Sequence, residues 1–418
     1  MKPEIKQRIE QIKAGQVPDG YKRTKAGNVP AEWEEKRIGD VLTQRKTLMC
    51  ISEDAPLLSF TIEDGVIDPE DKKSNKRDFL IKDMSTKKFA LTEVGDIIYN
   101  PANLKFGAIH RNNLKRGVVS PIYGIFYGEQ NSEFMGYLLH NQRFIDYAKI
   151  HTEGTVEKLK TLKADTFLKL KITLPPIEEQ EKIVEILSTQ DKVIELKEKL
   201  LEEKKKRKKY LMQQLLTGKK RLSGFSGEWE IKKIGEICNT FSGGTPQRAH
   251  PEYYGGSIPW IKSGELNQEN IYCTEESITQ VGLDNSSAKI VKNGTLLIAM
   301  YGATAGTLAF ARIDAAINQA ILALVPKIEI DNLLLKESIE SQIDIAVKKL
   351  TQGGQPNFNA SIIESLSILL PTMPEQKEIA KFILKINQDI SLLQSNLEQE
   401  KIKKKALMQL LLTGIVRV

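Results

Sequence analysis

Cysteine is scarce in this chain. Cys50, Cys238 and Cys273 are the only three in 418 residues, and no two form a Cys-x-x-Cys pair. That spacing argues against a zinc ribbon and against a disulfide scaffold. Histidine is equally sparse. His110, His140, His151 and His250 do not pair at helical spacing, so metal-dependent hydrolysis has no visible ligand set. The amino terminus, MKPEIKQRIEQIK, is charged and helical in pattern, without the apolar core of a signal peptide. Only the segment 294–311 raises the question of a membrane span. It carries no charge, but it holds three glycines and three threonines. Two buried strands joined at YGATAG fit that composition better than a spanning helix. The expectation is a protein of the reducing cytoplasm with no membrane partner.

Catalytic constellations are missing as well. YGATAGT lacks the Gly-Lys-Ser/Thr ending of a phosphate loop. Asn100-Pro101-Ala102-Asn103 departs from the Asn-Pro-Pro-aromatic motif of adenine methyltransferases. Asp64 and Asp68 sit in an acidic turn, and no Ser-His-Asp set is suggested. No catalytic and no metal-ligating residue is assigned. The chain reads as a binder rather than an enzyme.

What is present is a duplication. At about 150 residues per domain, two or three domains are expected. A shift of 196 residues lays the chain on itself. Residues 172–222 and 368–418 align without a gap, with 21 of 51 positions identical. The matches include Pro175 with Pro371, Glu179-Gln180 with Glu375-Gln376, and Leu215-Leu216-Thr217-Gly218 with Leu411-Leu412-Thr413-Gly414. The same offset places Trp33 on Trp229 and Lys36-Arg37-Ile38-Gly39-Asp40 on Lys232-Lys233-Ile234-Gly235-Glu236. Between these anchors the two halves diverge. The expected plan is a variable module followed by a similar long helix, twice.

Each repeated segment opens with proline and early carboxylates and closes at Leu-Thr-Gly, a sound helix start and stop. A 4,3 spacing selects Ile183, Leu187, Ile194, Leu201, Leu211 and Leu215 in the first copy. In the second it selects Ile379, Ile383, Ile386, Ile390, Leu393, Leu397, Leu407 and Leu411. Such a seam is what a coiled coil needs. Parallel pairing would put both modules at one end of the rod. Two-fold symmetry between the halves favours the antiparallel alternative. The run Lys204-Lys205-Lys206-Arg207-Lys208-Lys209 invites a nucleic-acid role, but Glu202 and Glu203 precede it and a solvated helix face is the favoured reading.

The modules read as short strands between polar turns. The segments SIPWIKS, GTLLIAM, GTLAFA, INQAILALVP, DIIYNP, GAIHR and GVVSPIYGIFY look like strands. Residues 133–150 have the apolar spacing of a helix packed on a sheet, and SIIESLSILLP reads as a short helix and then a strand. Candidate DNA-contacting groups lie in the turns. In the second module they are Ser242, Gly243, Gly244, Thr245, Lys262, Ser263, Tyr301, Thr304, Asn318, Gln319, Gln352, Gln355 and Asn357. In the first they are Lys76, Arg77, Lys105, Arg111, Asn112, Lys115, Arg116 and Lys160. Asparagine and glutamine can pair bidentately with adenine, arginine and lysine can pair with guanine, and glycine lets an amide approach a phosphate. The net charge, 61 − 54 = +7, permits a polyanionic partner without requiring one.

Together these stretches resemble the specificity subunit of type I restriction–modification systems over essentially the whole chain. YKRTKAGNVPAEWEEKRIGDV looks like the family's module opening. SGGTPQRAHPEYYGGSIPWIKSGEL and YGATAGTLAFARIDAAINQAI look like motifs of its target-recognition domains. LPPIEEQEKIVEIL and LPTMPEQKEIAKFI look like the starts of its two helical regions. The resemblance implies an α+β fold with a pseudo-two-fold internal repeat. Two mixed α/β target-recognition domains would be separated by a long antiparallel two-helix coiled coil. The implied boundaries are a helical extension at 1–30, recognition domains at 31–175 and 222–370, and helices at 176–221 and 371–418. It further implies double-stranded DNA as ligand, two adenine methyltransferase subunits and restriction/translocase subunits as partners, and no cofactor on this chain. S-adenosylmethionine, ATP and magnesium would belong to those partners. The competing expectation is a coiled-coil adaptor whose modules bind proteins without DNA specificity.

Overall fold

The computed structural model describes residues 3–24, 27–72, 87–153, 161–350 and 357–418. The chain divides into two units, Met1–Glu198 with Asn396–Val418 and Lys199–Ser395. Two long helices, Ile177–Leu216 and Met373–Leu411, therefore each contribute one half to one unit and one half to the other.

In unit one the strand Glu34–Arg37 pairs antiparallel with Lys171–Leu174, just before the first long helix begins. Between them lies the first module. One sheet has the order Ile109–Arg111, Ile97–Tyr99, Gly124–Tyr127, Thr43–Gln44. Another has the order Gly117–Val119, Phe89–Thr92, Leu48–Met49. The rings of Tyr99, Phe126 and Phe167 stack in the core at centroid distances of 4.8 to 5.8 Å. Residues 133–150 form two helices rather than one, Ser132–His140 and Gln142–Ile150. Asn141 takes extended backbone between them, and its side chain accepts from Arg143 N, which starts the second helix. Among its described residues the amino-terminal extension is helical over Pro3–Lys13. A hairpin of Tyr21–Thr24 and Gly27–Pro30 follows.

Unit two repeats the frame at the offset seen in the sequence. The strand Glu230–Lys233 pairs with Ser367–Leu370 in the same register, and 34 + 196 gives 230. The short helix Ala164–Lys169 corresponds to Ala360–Ser365. Its module has a five-stranded sheet of order Cys238–Ser242, Ile321–Pro326, Leu296–Ala299, Leu308–Ala311, Asn270–Ile271. A four-stranded sheet has the order Glu276–Ile278, Tyr254–Ile261, Ala315–Ile317, Lys289–Val291. The uncharged stretch 294–311 is a pair of buried antiparallel strands, as its composition suggests. Among the described residues, no helix is long and apolar enough to cross a membrane.

The two long helices meet within each unit. In unit one Ile183 and Leu187 share a core with Leu411 and Leu412. Farther along, Glu400 accepts from Gln190 at 2.8 Å and pairs with Lys197 at 2.9 Å, and Lys404 pairs with Asp191 at 2.5 Å. Residue numbers rise on one helix as they fall on the other, so the segments run antiparallel. In unit two Met212, Leu215 and Leu216 share a core with Ile379 and Ile383, with Leu211 and Ile386 packed against it. The remaining seam positions Ile194, Leu201, Ile390, Leu393 and Leu407 are half-buried, and Leu397 is buried. Met212 and Leu216 lie outside the 4,3 selection, yet both are buried.

Candidate nucleic-acid interface

Each repeat is pinned by one polar cluster. Trp33 donates its indole N–H to Glu179 at 3.0 Å, and Arg417 grips the same carboxylate at 2.6 and 3.0 Å. At the equivalent place Trp229 donates to Glu375 at 2.9 Å, and Arg221 grips it at 2.7 and 2.6 Å. Glu179 and Glu375 are 5% and 1% exposed, and each buried carboxylate has a guanidinium paired with it. The next residues, Gln180 and Gln376, each donate to the carbonyl of the proline five residues back. These bonds explain the repeated Trp…Glu-Gln signature without any ligand.

In the second module the structure joins loops that lie far apart in sequence. Thr245 donates to Gln319 at 2.5 Å, across 74 residues. Asn318 N donates to Ile261 O, beside Lys262, and Thr304 donates to Ser263 O at 3.0 Å. Phe358 N donates to Met300 O, which sets Asn357 beside Tyr301. Ser242, Gly243 and Gly244 lead into Thr245. Every described candidate of this module is thus tied into one cluster. Thr245 and Gln319 are exposed, and Tyr301 is 38% exposed. Gln352 and Gln355 lie outside the described residues.

The two glycines have a packing role. A Cβ on Gly243 would stand 1.8 Å from Ile317 O, and one on Gly244 would stand 2.3 Å from Ser287 Oγ. Gly244 N and O are also taken, by Ile317 O and by the Trp260 indole. The Gly-Gly step is there to let strands approach.

Lys262 reaches two carboxylates, Glu275 at 3.0 Å and Glu276 at 2.9 Å. Arg248 shares Glu276 at 2.7 Å, and its guanidinium lies 4.4 Å over the ring of Tyr254. Arg248 first, then Lys262, draw the Glu276 carboxyl down to about 2. Arg248 is 58% exposed, and sequence reasoning missed it. Its position in SGGTPQR, directly after the motif, was the available signal.

The first module distributes its candidates differently. Ile109 pairs with Tyr99 and Arg111 with Ile97. Lys105, in the connection between those strands, therefore lies at the opposite end of the hairpin from Arg111, Asn112, Lys115 and Arg116. Arg111 donates to Ser132 Oγ at 3.0 Å, and Lys115 pairs with Asp68 at 2.6 Å. Asn112 is fully buried. Its amide donates to Thr92 and to Lys115 O, and its oxygen accepts from Leu114 N, so it builds the turn. Arg116 is exposed and Lys105 half-buried. Lys76, Arg77 and Lys160 lie outside the described residues. By the offset, 301 − 196 = 105, so Lys105 stands in sequence where Tyr301 stands. Beside it Phe106 is 63% exposed. Among the described residues, no group of three or more His, Cys, Asp or Glu could hold a metal ion.

Comparison with known proteins agrees with this duplicated frame. The family model described as the type I restriction modification DNA specificity domain matches residues 30–206 and 226–403. The chain is 31% identical over 158 residues to the type I restriction enzyme MjaIX specificity subunit of Methanocaldococcus jannaschii, covering 37% of this chain and 36% of that one. It is 29% identical over 234 residues to the EcoR124I/EcoR124II specificity subunit of Escherichia coli, covering 52% and 55%. The first curated relatives are each matched over 60% or less of their own length. A solved chain from a study of complex assembly and conformational transition of the type I R-M system shares the fold. Its TM-score is 0.59 at 18% identity, over 93% of this chain and 99% of that one.

Proposed function

Because the chain belongs to the family of the type I restriction modification DNA specificity domain, which it carries twice, we propose that it is the DNA-reading specificity subunit of a type I restriction–modification enzyme. Residues 31–175 and 222–370 each read one half of a split site. Helices 176–221 and 371–418 form an antiparallel rod that sets the gap between half-sites. Half-sites about one helical turn apart, roughly 34–36 Å, suit recognition elements on a stiff spacer. The observation that carries this reading is the contrast between a frame whose pinning residues recur at a fixed offset and modules that diverged. A frame that repeats Trp, Glu, Gln and Arg at fixed offset, around loops that differ, holds two readers of different sequences.

In the second module the interlinked loops supply the readout. Gln319, Thr245, Asn357 and Tyr301 present polar edges to bases, and Arg248, Lys262 and Ser263 supply phosphate or guanine contacts. In the first, Lys105 and Arg116 are the cations best suited to the backbone. Each phosphate contact makes binding weaken as salt rises. The chain itself does no chemistry. Two adenine methyltransferase subunits dock on it and bring S-adenosylmethionine. Restriction/translocase subunits, with ATP and magnesium, join for cleavage.

The test is to express the chain with its methyltransferase subunit in a methylation-free host and map methylated adenines by long-read sequencing. A single motif of two different half-sites with a fixed gap is expected. Methylation at a contiguous motif, or at none, would overturn the reading.

A further inference from the structure

The two modules present different side chains on the same pair of turns. In unit one Tyr99 pairs with Ile109 on one side and Gly124 on the other, so the loops that lead into Ile109 and Gly124 stand at one end of one sheet. In unit two Ile298 pairs with Leu308 and Leu322 in the same way. The turns match bond for bond. Phe106 N donates to Asn103 O at 2.9 Å, as Ala305 N donates to Gly302 O at 3.1 Å. Tyr123 N donates to Ser120 O at 3.2 Å, as Ile321 N donates to Asn318 O at 3.3 Å. Counted from the paired strands, 106 − 99 = 305 − 298 and 124 − 122 = 322 − 320, so Phe106 stands where Ala305 does and Ile122 where Ala320 does.

The same count sets Ala102 at the place of Tyr301 and Pro121 at the place of Gln319, so the first module has lost the polar readers of the second. Apolar groups take over. Ala320 is buried and Ala305 half-buried, whereas Ile122 is 64% exposed and Phe106 63%. Among the described residues, neither belongs to a core cluster. A single exposed hydrophobic side chain is ordinary, but these two share the sheet end that carries the reading loops. Turn corners favour glycine, asparagine or aspartate, and a local choice against that preference marks a functional position. Both side chains stand on fixed backbone. Pro121 locks its dihedral just ahead of Ile122, and Gly107, at φ +91°, closes the turn after Phe106. Lys105 Nζ lies 5.2 Å from the centre of the Phe106 ring, a cation beside the apolar pair. The strands that the two turns lead into are two sheet spacings apart, about 10 Å, the span of a few base pairs.

We infer that the first module reads thymine, by setting Ile122 and Phe106 against C5-methyl groups in the major groove of its half-site. The thymine methyl is the apolar group among the base edges that this groove displays. An apolar side chain pressed on an amino or carbonyl edge removes its water and returns no hydrogen bond, which selects against the other bases. Lys105, beside Phe106, meets the phosphate backbone and fixes the register. The second module offers Tyr301, Gln319 and Asn357 to polar edges instead. One scaffold thus carries two kinds of readout. The inference rests on the reading of the chain as a specificity subunit and names the chemistry of its first half-site.

The complex of the full chain with its methyltransferase subunit is titrated, by fluorescence anisotropy, with duplexes carrying the methylated motif. The half-site whose recognition survives Gln319→Ala belongs to the first module. It contains at least one A·T pair besides the one that is methylated. Deoxyuridine, which lacks only the methyl group, replaces the thymine of each such pair in turn. At a thymine that Ile122 or Phe106 covers, binding by the parent weakens about fourfold, equivalent to about 0.8 kcal/mol for one buried carbon. Ile122→Ser and Phe106→Ala each bind the thymine and uracil duplexes alike at the position that side chain covers. Both residues are exposed, so thermal midpoints stay at the parent value. A first half-site without such a pair, or a parent indifferent to uracil throughout it, would overturn the thymine readout and leave the specificity-subunit reading intact. So would a double variant as sensitive to uracil as the parent; fewer methyltransferase subunits on that variant would make the two side chains a protein contact instead. A complex that binds no split motif would overturn both readings.

Discussion

Replacing Trp33 by phenylalanine removes the indole N–H that Glu179 accepts at 3.0 Å, in a site where Trp33 is wholly buried. A hydrogen bond to a charged group contributes about 2 kcal/mol, and the smaller ring adds a void. Trp229 makes the same bond to Glu375 but is only half-buried. Trp33→Phe should therefore destabilise unit one by about 2 kcal/mol or more, and Trp229→Phe should cost unit two less. Denaturant titration followed by hydrogen exchange in each unit measures both, and the reverse order would count against the cluster's role. In the loop cluster proposed to read DNA, Gln319→Ala removes the acceptor of Thr245 together with an exposed amide. Its expected effect is relaxed methylation specificity at the second half-site alone, read by sequencing. Equal loss at both half-sites would contradict modular readout. Residue type marked most of these positions in the sequence, because polar turns between apolar strands are visible in one dimension. What it hid was purpose. Gly243 and Gly244 serve strand packing, and Asn112 faces inward to build its turn. Arg248 was passed over because its partners Tyr254 and Glu276 lie farther along the chain, and only the fold joins them.

Along the helices, Glu400 and Lys404 are the two polar interruptions of the second helix's apolar seam. Gln190 first, then Lys197, hold the Glu400 carboxyl down to about 2 from an ordinary 4.5. A carboxylate with a lowered pKa in the folded state adds stability that is complete above the ordinary value and vanishes as pH falls toward the lowered one. Glu400→Gln should therefore loosen the pairing of the helix segments in unit one at neutral pH. The gap between variant and parent should close between about pH 4.5 and 2. Exchange protection of residues 187–198 across that range measures it, and a gap that persists at pH 2 would show that the ion pair does not set local stability. The helices were the most legible elements, since proline, early carboxylates, a seam and a left-handed glycine all agree over 40 residues. The break at Asn141 was less so. Apolar spacing continues through it, and only the side-chain cap to Arg143 N reveals that a second helix begins there.

At the scale of the whole chain, the duplication was readable but its assembly was not. A linear reading draws a module and then the helix that follows it. Instead unit one is completed by Asn396–Val418, whose Leu411 and Leu412 enter its core and whose Arg417 neutralises the buried Glu179. Unit two has the corresponding pieces, Leu215, Leu216 and Arg221, already within Lys199–Ser395. Contacts between segments as distant in sequence as Glu179 and Arg417 leave no local periodicity, so no sequence window could show them. The asymmetry has a direct consequence. Ending the chain after Ser395 strips unit one of two core leucines and leaves the Glu179 carboxylate buried without its guanidinium. Breaking a buried ion pair from one side is strongly destabilising, commonly by about 3–5 kcal/mol, and lost core leucines add to it. Unit two keeps its own leucines, arginine and the segment Met373–Ser395 that packs on them. The truncated chain should show amide protection collapsing in residues 87–153 and 161–198, while residues 227–343 keep protection near that of the full chain. Hydrogen exchange by mass spectrometry separates the two. If both units lost protection together, or unit one kept it, the segment Asn396–Val418 would not be the missing wall of the first unit.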